Sequence, residues 1–86
     1  MNEGIQYTRH ARNRMRRYKV TEAQVVAILA HPLAVTPSRD QKQNAWGRLW
    51  VERTQTEWVS VSFVVEHGDT VVITVTPRRR GPAGRV

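Results

Sequence analysis

Apolar positions follow two different periods along the chain, and the change falls at Pro32. Upstream of it they recur at helical spacing. Ala11, Met15 and Tyr18 stand at i, i+4 and i+7 behind Thr8, a residue suited to cap a helix, so a first helix is expected from Thr8 through about Tyr18. Ile5–Tyr7, ahead of it, reads as a short edge strand. The second helix has sharper limits. Thr21-Glu22-Ala23-Gln24 fits a capping box, and Val20 and Val25 are placed for a hydrophobic staple. Val25, Ile28 and Leu29 supply the buried side, and Pro32 ends the helix because the residue before a proline avoids helical geometry. A tight turn at Lys19–Val20 is expected to make the two helices antiparallel.

Downstream of Pro32 the period is two. Leu33–Thr36 reads as a short strand and Pro37 to Asn44 as a polar loop. Ala45–Arg53, Glu57–Glu66 and Thr70–Thr76 alternate, with His67-Gly68-Asp69 as a tight turn between the last two. Three strands with short links predict an antiparallel meander. The aliphatic set Leu49, Val51, Val59, Val61, Phe63, Val65, Val71, Ile73 and Val75 is expected under the helices. Trp46, Arg48, Trp50, Trp58, Ser60, Ser62, Thr74 and Thr76 then occupy the other face, which no helix remains to cover. A one-residue slip of register would invert this assignment. The architecture expected is α+β, with two N-terminal antiparallel helices packed on one face of a 3–5-stranded antiparallel sheet. Residues 1–77 would form the single domain and 78–86 a basic, flexible tail.

Length and charge narrow the function. Eighty-six residues exclude two-domain enzymes and full dinucleotide-binding folds, and the chain contains no cysteine for disulfides or thiolate metal sites. No apolar run approaches a membrane span, and the N-terminus lacks the apolar centre of a secretory signal, so a cytoplasmic protein is expected. The formal charge of +7 is uneven. Residues 1–20 carry a net +5 and residues 77–86 a net +4, while 21–76 carry −2. Cationic ends on a near-neutral body point to a polyanion, most simply nucleic acid. Twelve of the 14 basic residues are arginine, the side chain that grips phosphate bidentately.

Most chemistries lack their residues here. The five glycines are scattered, the three histidines lie in different elements without metal-ligand spacing, and no Gly-x-Ser-x-Gly elbow occurs. No metal or cofactor is therefore expected. Cleavage of RNA needs neither, because its 2′-hydroxyl is the internal nucleophile. A histidine can move the proton and arginines can stabilise charge on the phosphate. His10 and Arg14, one turn apart on the first helix, suit those roles, with Arg17 a turn further on. The bland alternative is a partly buried His10 bonded to strand backbone, with Arg14 paired to an acid such as Glu66. Trp46, Trp50 and Trp58 can stack on bases or anchor a partner. Arg78, Arg79 and Arg80 can grip phosphate or remain a solvated tail. His31 is expected at the second helix's C-terminus and His67 in a solvated turn.

Tyr7-Thr8-Arg9-His10-Ala11-x-x-Arg14-Met15, followed by Tyr18-Lys19-Val20-Thr21 and a helix ending in His31-Pro32, resembles the small bacterial family called domain of unknown function 4258. Val72-Ile73-Thr74-Val75 matches that family's closing strand, and the resemblance runs from Ile5 to Pro77. The family's element order is similar to that of RelE-like ribonuclease toxins, in which RNA lies on the open sheet face. The resemblance marks His10, Arg14 and Thr74; the strand reading, not the resemblance, places Arg39 and Arg48 near the same surface as further candidates. The resemblance implies a toxin-like protein that binds RNA and can cleave it without metal, with an acidic antitoxin or the ribosome as partner. The alternatives are a non-enzymatic nucleic-acid-binding module and a protein-interaction domain using the tryptophan-bearing face. The oligomeric state stays open.

Overall fold

The computed structural model describes residues 4–82. Seven elements follow in chain order: β1 (Ile5–Tyr7), α1 (Arg9–Tyr18), α2 (Glu22–Ala30), β2 (Ala34–Pro37), β3 (Gln43–Val51), β4 (Thr56–Glu66) and β5 (Asp69–Arg78). The helix limits follow from their caps. The Thr8 hydroxyl accepts the Ala11 amide, and Lys19 closes α1 in the left-handed region at φ 57°, its amide turned back to α1 carbonyls. Thr21 and Gln24 form both bonds of a capping box at α2, and His31 is its C-cap.

The five strands form one sheet in the order β1-β5-β4-β3-β2. The meander β2 to β5 is antiparallel throughout, but β1 runs parallel to β5, with Ile5 opposite Thr70 and Tyr7 opposite Val72. The expected antiparallel sheet beneath a helical hairpin is therefore corrected. The sheet is mixed, because the meander that starts at the opposite edge with β2 ends with β5 beside β1 and running in the same direction. The helices rest on different strands, α1 on β5 and α2 on β3 and β4. The ion pair Arg12–Glu22, 2.7 Å long, ties one to the other.

Ala11, Met15, Val20, Val25 and Ile28 meet Ala45, Val59, Val61, Val72 and Val75 in the core. Gly47 lies beneath α2. A Cβ there would sit 2.6 Å from Ile28 Cγ1, so the helix approaches β3 where the strand has no side chain.

Two bulges rearrange the faces expected from alternation. On β5 the pairing shifts between Ser62/Thr74 and Phe63/Val72, leaving Ile73 as the extra residue. Val72 joins the core fully buried, while Val71 pairs with Val64 on the far face. Assigning Val71 and Ile73 to the core is thus corrected to Val72, and Val65, near the end of β4, is 65% exposed rather than covered. On β3 the register shifts between Arg48 and Val51, which turns Trp50 away from the line of Trp46 and Arg48. His67 and Gly68, both at positive φ, make the β4–β5 turn. At the C-terminal end Arg78 closes β5, Gly81 packs on the Trp58 ring and Pro82 is buried. Of the expected tail, residues 83–86 lie outside the described residues.

Candidate functional site

The start of α1 is fastened to β5 by one residue. Thr8 donates its amide to Val72 O at 3.1 Å and its hydroxyl to Ile73 O at 2.9 Å, while the same hydroxyl oxygen accepts the Ala11 amide at 3.0 Å. The β5 bulge supplies the Ile73 carbonyl, so bulge and helix start lock together. His10, in the first turn of α1, is exposed, and Arg14, one turn on, is half-buried with its guanidinium 5.5 Å from the Tyr18 ring centre. Neither side chain takes the bland alternative. His10 is not sealed into the strand, and Arg14 has no carboxylate within ion-pair distance among the described residues, whose two ion pairs are Arg12–Glu22 and Arg48–Glu57.

Three buried polar atoms lack a hydrogen-bond partner among the described residues: Tyr7 Oη, Arg14 Nε and Thr74 Oγ1. They sit on β1, α1 and β5, which are in mutual contact. Such groups are exceptional in folded proteins and cost about 1–3 kcal/mol each. Burial raises the Tyr7 pKa above its ordinary 10.0; the nearby Glu22 adds to the rise and Arg12, its guanidinium 4.7 Å from the ring centre, opposes it.

The marked positions are only partly gathered. His10, Arg14 and Arg17 share α1. Thr74 pairs with Ser62 on the face away from the helices, so β5 stands between it and the core side of α1. Arg39 lies exposed in the β2–β3 turn, three strands from β5, or roughly 14 Å at the usual strand spacing. Arg48 is on the face away from the helices, bonded to Glu57 at 2.8 Å and stacked 5.2 Å from the Trp58 ring centre.

The face away from the helices carries its own cover. Trp46 is only 7% exposed, donates Nε1 to Thr36 Oγ1 at 2.9 Å and lies under the Arg78 guanidinium at 5.1 Å. Arg78 in turn donates Nε to Ser60 Oγ at 2.9 Å. Trp58 is held between Arg48 and Gly81. Two indoles and two guanidiniums therefore satisfy one another across the strands. Arg79 and Arg80 follow, exposed. Trp50, 56% exposed, stands apart beside the end of α1. Alternation alone places it with the other two indoles; only the β3 bulge, which the sequence pattern does not mark, separates it.

A small mixed α+β domain with an arginine-rich helix packed on β5 is the class these features define. The chain belongs to the family described as domain of unknown function (DUF4258), whose model matches residues 7–77. Comparison with curated proteins and with solved structures found no match. No helix of the described residues is long and apolar enough to cross a membrane, and no group of three or more His, Asp or Glu there has the arrangement of a metal site.

Proposed function

We propose that this protein is a toxin-like RNA-binding domain that grips the phosphate backbone with α1. The observation that carries the reading is the charge state of that helix. It holds five arginines and no acid, and only Arg12 is ion-paired among the described residues. Arg9, Arg16 and Arg17 are exposed cations and Arg14 borders them. A polyanion releases counterions at each such contact, which drives binding without sequence preference. RNA is favoured over duplex DNA because a histidine lies in the same row. His10 is exposed one turn ahead of Arg14, so a phosphate held by the guanidinium brings a neighbouring 2′-hydroxyl within reach of the imidazole. In this reading His10 takes the proton of the 2′-hydroxyl as its oxygen bonds to the adjacent phosphorus. The P–O5′ bond breaks to leave a 2′,3′-cyclic phosphate, and the departing 5′-oxygen takes a proton from water. Arg14 stabilises the phosphate and Arg17 extends the grip. Arg78–Arg80 add affinity from the far face. An acidic antitoxin would compete with RNA for the same helix.

The experiment is incubation of single-stranded RNA with the protein in excess chelator, read on a denaturing gel, with anisotropy of a labelled strand run in parallel. Raised anisotropy with wild type and with His10→Ala, and scission with wild type alone, is the expected pair of results. Binding without scission in either reduces the protein to a non-enzymatic nucleic-acid-binding module. Absence of binding ends the reading.

A further inference from the structure

A second cationic surface lies at the opposite end of α1. Arg17, Tyr18 and Lys19 face Trp50, Glu52 and Arg53 across a cleft of about 320 Å³ between the helix terminus and the β3–β4 hairpin. This is the small end of the range of ligand pockets. Its components differ in kind from those of the Trp46 and Trp58 face, where every indole is already stacked. Trp50 is 56% exposed, and its Nε1 donates to Glu52 Oε1 at 2.9 Å, which orients the ring over the cleft. The same bond occupies the cleft's one carboxylate. Arg17, Lys19 and Arg53 have no ion-pair partner among the described residues, so the lining keeps three cations against one engaged acid.

We infer that this cleft binds one nucleoside phosphate unit, with its base stacked on the Trp50 indole and its phosphate among Arg17, Lys19 and Arg53. A flat exposed ring takes any base, because every base has a π-face, and the cations supply the complement to the phosphate. An acidic peptide would satisfy the cations but has no group for the indole. A bare anion has none either. The site shares Arg17 with the phosphate grip of α1 but adds Lys19, Arg53 and a stacking ring, and it does not need His10. A strand leaving α1 toward its C-terminus would meet it as a terminal or unstacked nucleotide.

The test follows the three indole N–H resonances of the intact chain during titration with 5′-AMP, adenosine, inorganic phosphate or a glutamate-rich peptide. Trp50→Phe identifies the Trp50 signal by its loss. The expected result is a shift of the Trp50 resonance by AMP, with adenosine about 5-fold weaker, as screened surface ion pairs contribute modestly. Phosphate should leave that resonance in place. Trp50→Ala should weaken AMP by about 10-fold, the scale of losing one base–aromatic stack, while Trp50→Phe retains most of the affinity. An unmoved Trp50 signal, equal AMP affinity of Trp50→Ala and wild type, or an equal response to the peptide overturns the assignment. Because AMP cannot span α1, its failure to bind leaves RNA anisotropy to judge the helix separately.

Discussion

Gly47→Ala tests how α2 is seated on the sheet, and its magnitude can be worked from two opposing effects. An alanine stiffens the unfolded chain and favours the strand over glycine by about 0.5–1 kcal/mol. Against this, the new Cβ would lie 2.6 Å from Ile28 Cγ1, 3.1 Å from Cδ1 and 3.3 Å from Cγ2. The nearest of these is the root of the branch rather than its free end. Ile28 is 8% exposed, so it has little room to turn away. Overpacking a filled core by a methyl group costs about 1–3 kcal/mol. The clash outweighs the backbone gain, and a net loss of about 1–2 kcal/mol is expected. For a domain of this size that lowers the thermal midpoint by roughly 4–16 °C. Calorimetry or denaturant titration reads it. Ile28→Ala vacates the space the new methyl needs, so the double variant should be more stable than the sum of the single losses by about 1 kcal/mol or more. A Gly47→Ala protein as stable as wild type, or a strictly additive cycle, refutes the reasoning.

Tyr7→Phe removes a buried hydroxyl without a partner, so the variant should match or exceed wild-type stability at neutral pH, by up to about 1 kcal/mol. Its pH dependence has a definite sign. The folded-state pKa is raised above 10.0, so the unfolded state ionises first and wild-type stability falls as pH rises through 10.0 and on toward the folded value. The variant should lose less over that window in matched urea titrations, and parallel curves would contradict the assignment. Thr21→Ala deletes the hydroxyl that accepts the Gln24 amide at 3.1 Å, and should cost about 0.5–2 kcal/mol. An unchanged denaturation midpoint would mean that the capping box contributes nothing to α2.

The helices were legible because their information is local. Thr8, Thr21 and Pro32 mark limits that no distant contact has to supply, and Ala11 and Met15 are buried as their spacing predicts. The five strand segments along the chain and the His67-Gly68 turn were legible for the same reason. The sheet's parallel edge was not, because β1 is three residues long and its partner lies more than sixty positions away. The two bulges were hidden too. Alternation assumes an unbroken pleat, and one inserted residue exchanged Ile73 for Val72 in the core and carried Trp50 from the Trp46 line to the end of α1. His10 and Arg14 were placed by helical spacing, and Thr74 kept the face that alternation gave it because the bulge displaces only the residues before it.

The proposed role stands on exposed arginines of α1 meeting phosphates, and the salt dependence of RNA affinity measures that contact most directly. The four available guanidiniums of α1 account for about −3 of the slope in log affinity against log salt for a single strand, with any contact from Arg78–Arg80 adding to it. Arg9→Gln, Arg16→Gln and Arg17→Gln combined should flatten it by about 2, with the thermal midpoint unchanged because all three are exposed. A slope that the triple variant leaves as it was would show that RNA, if bound, is held elsewhere on the molecule.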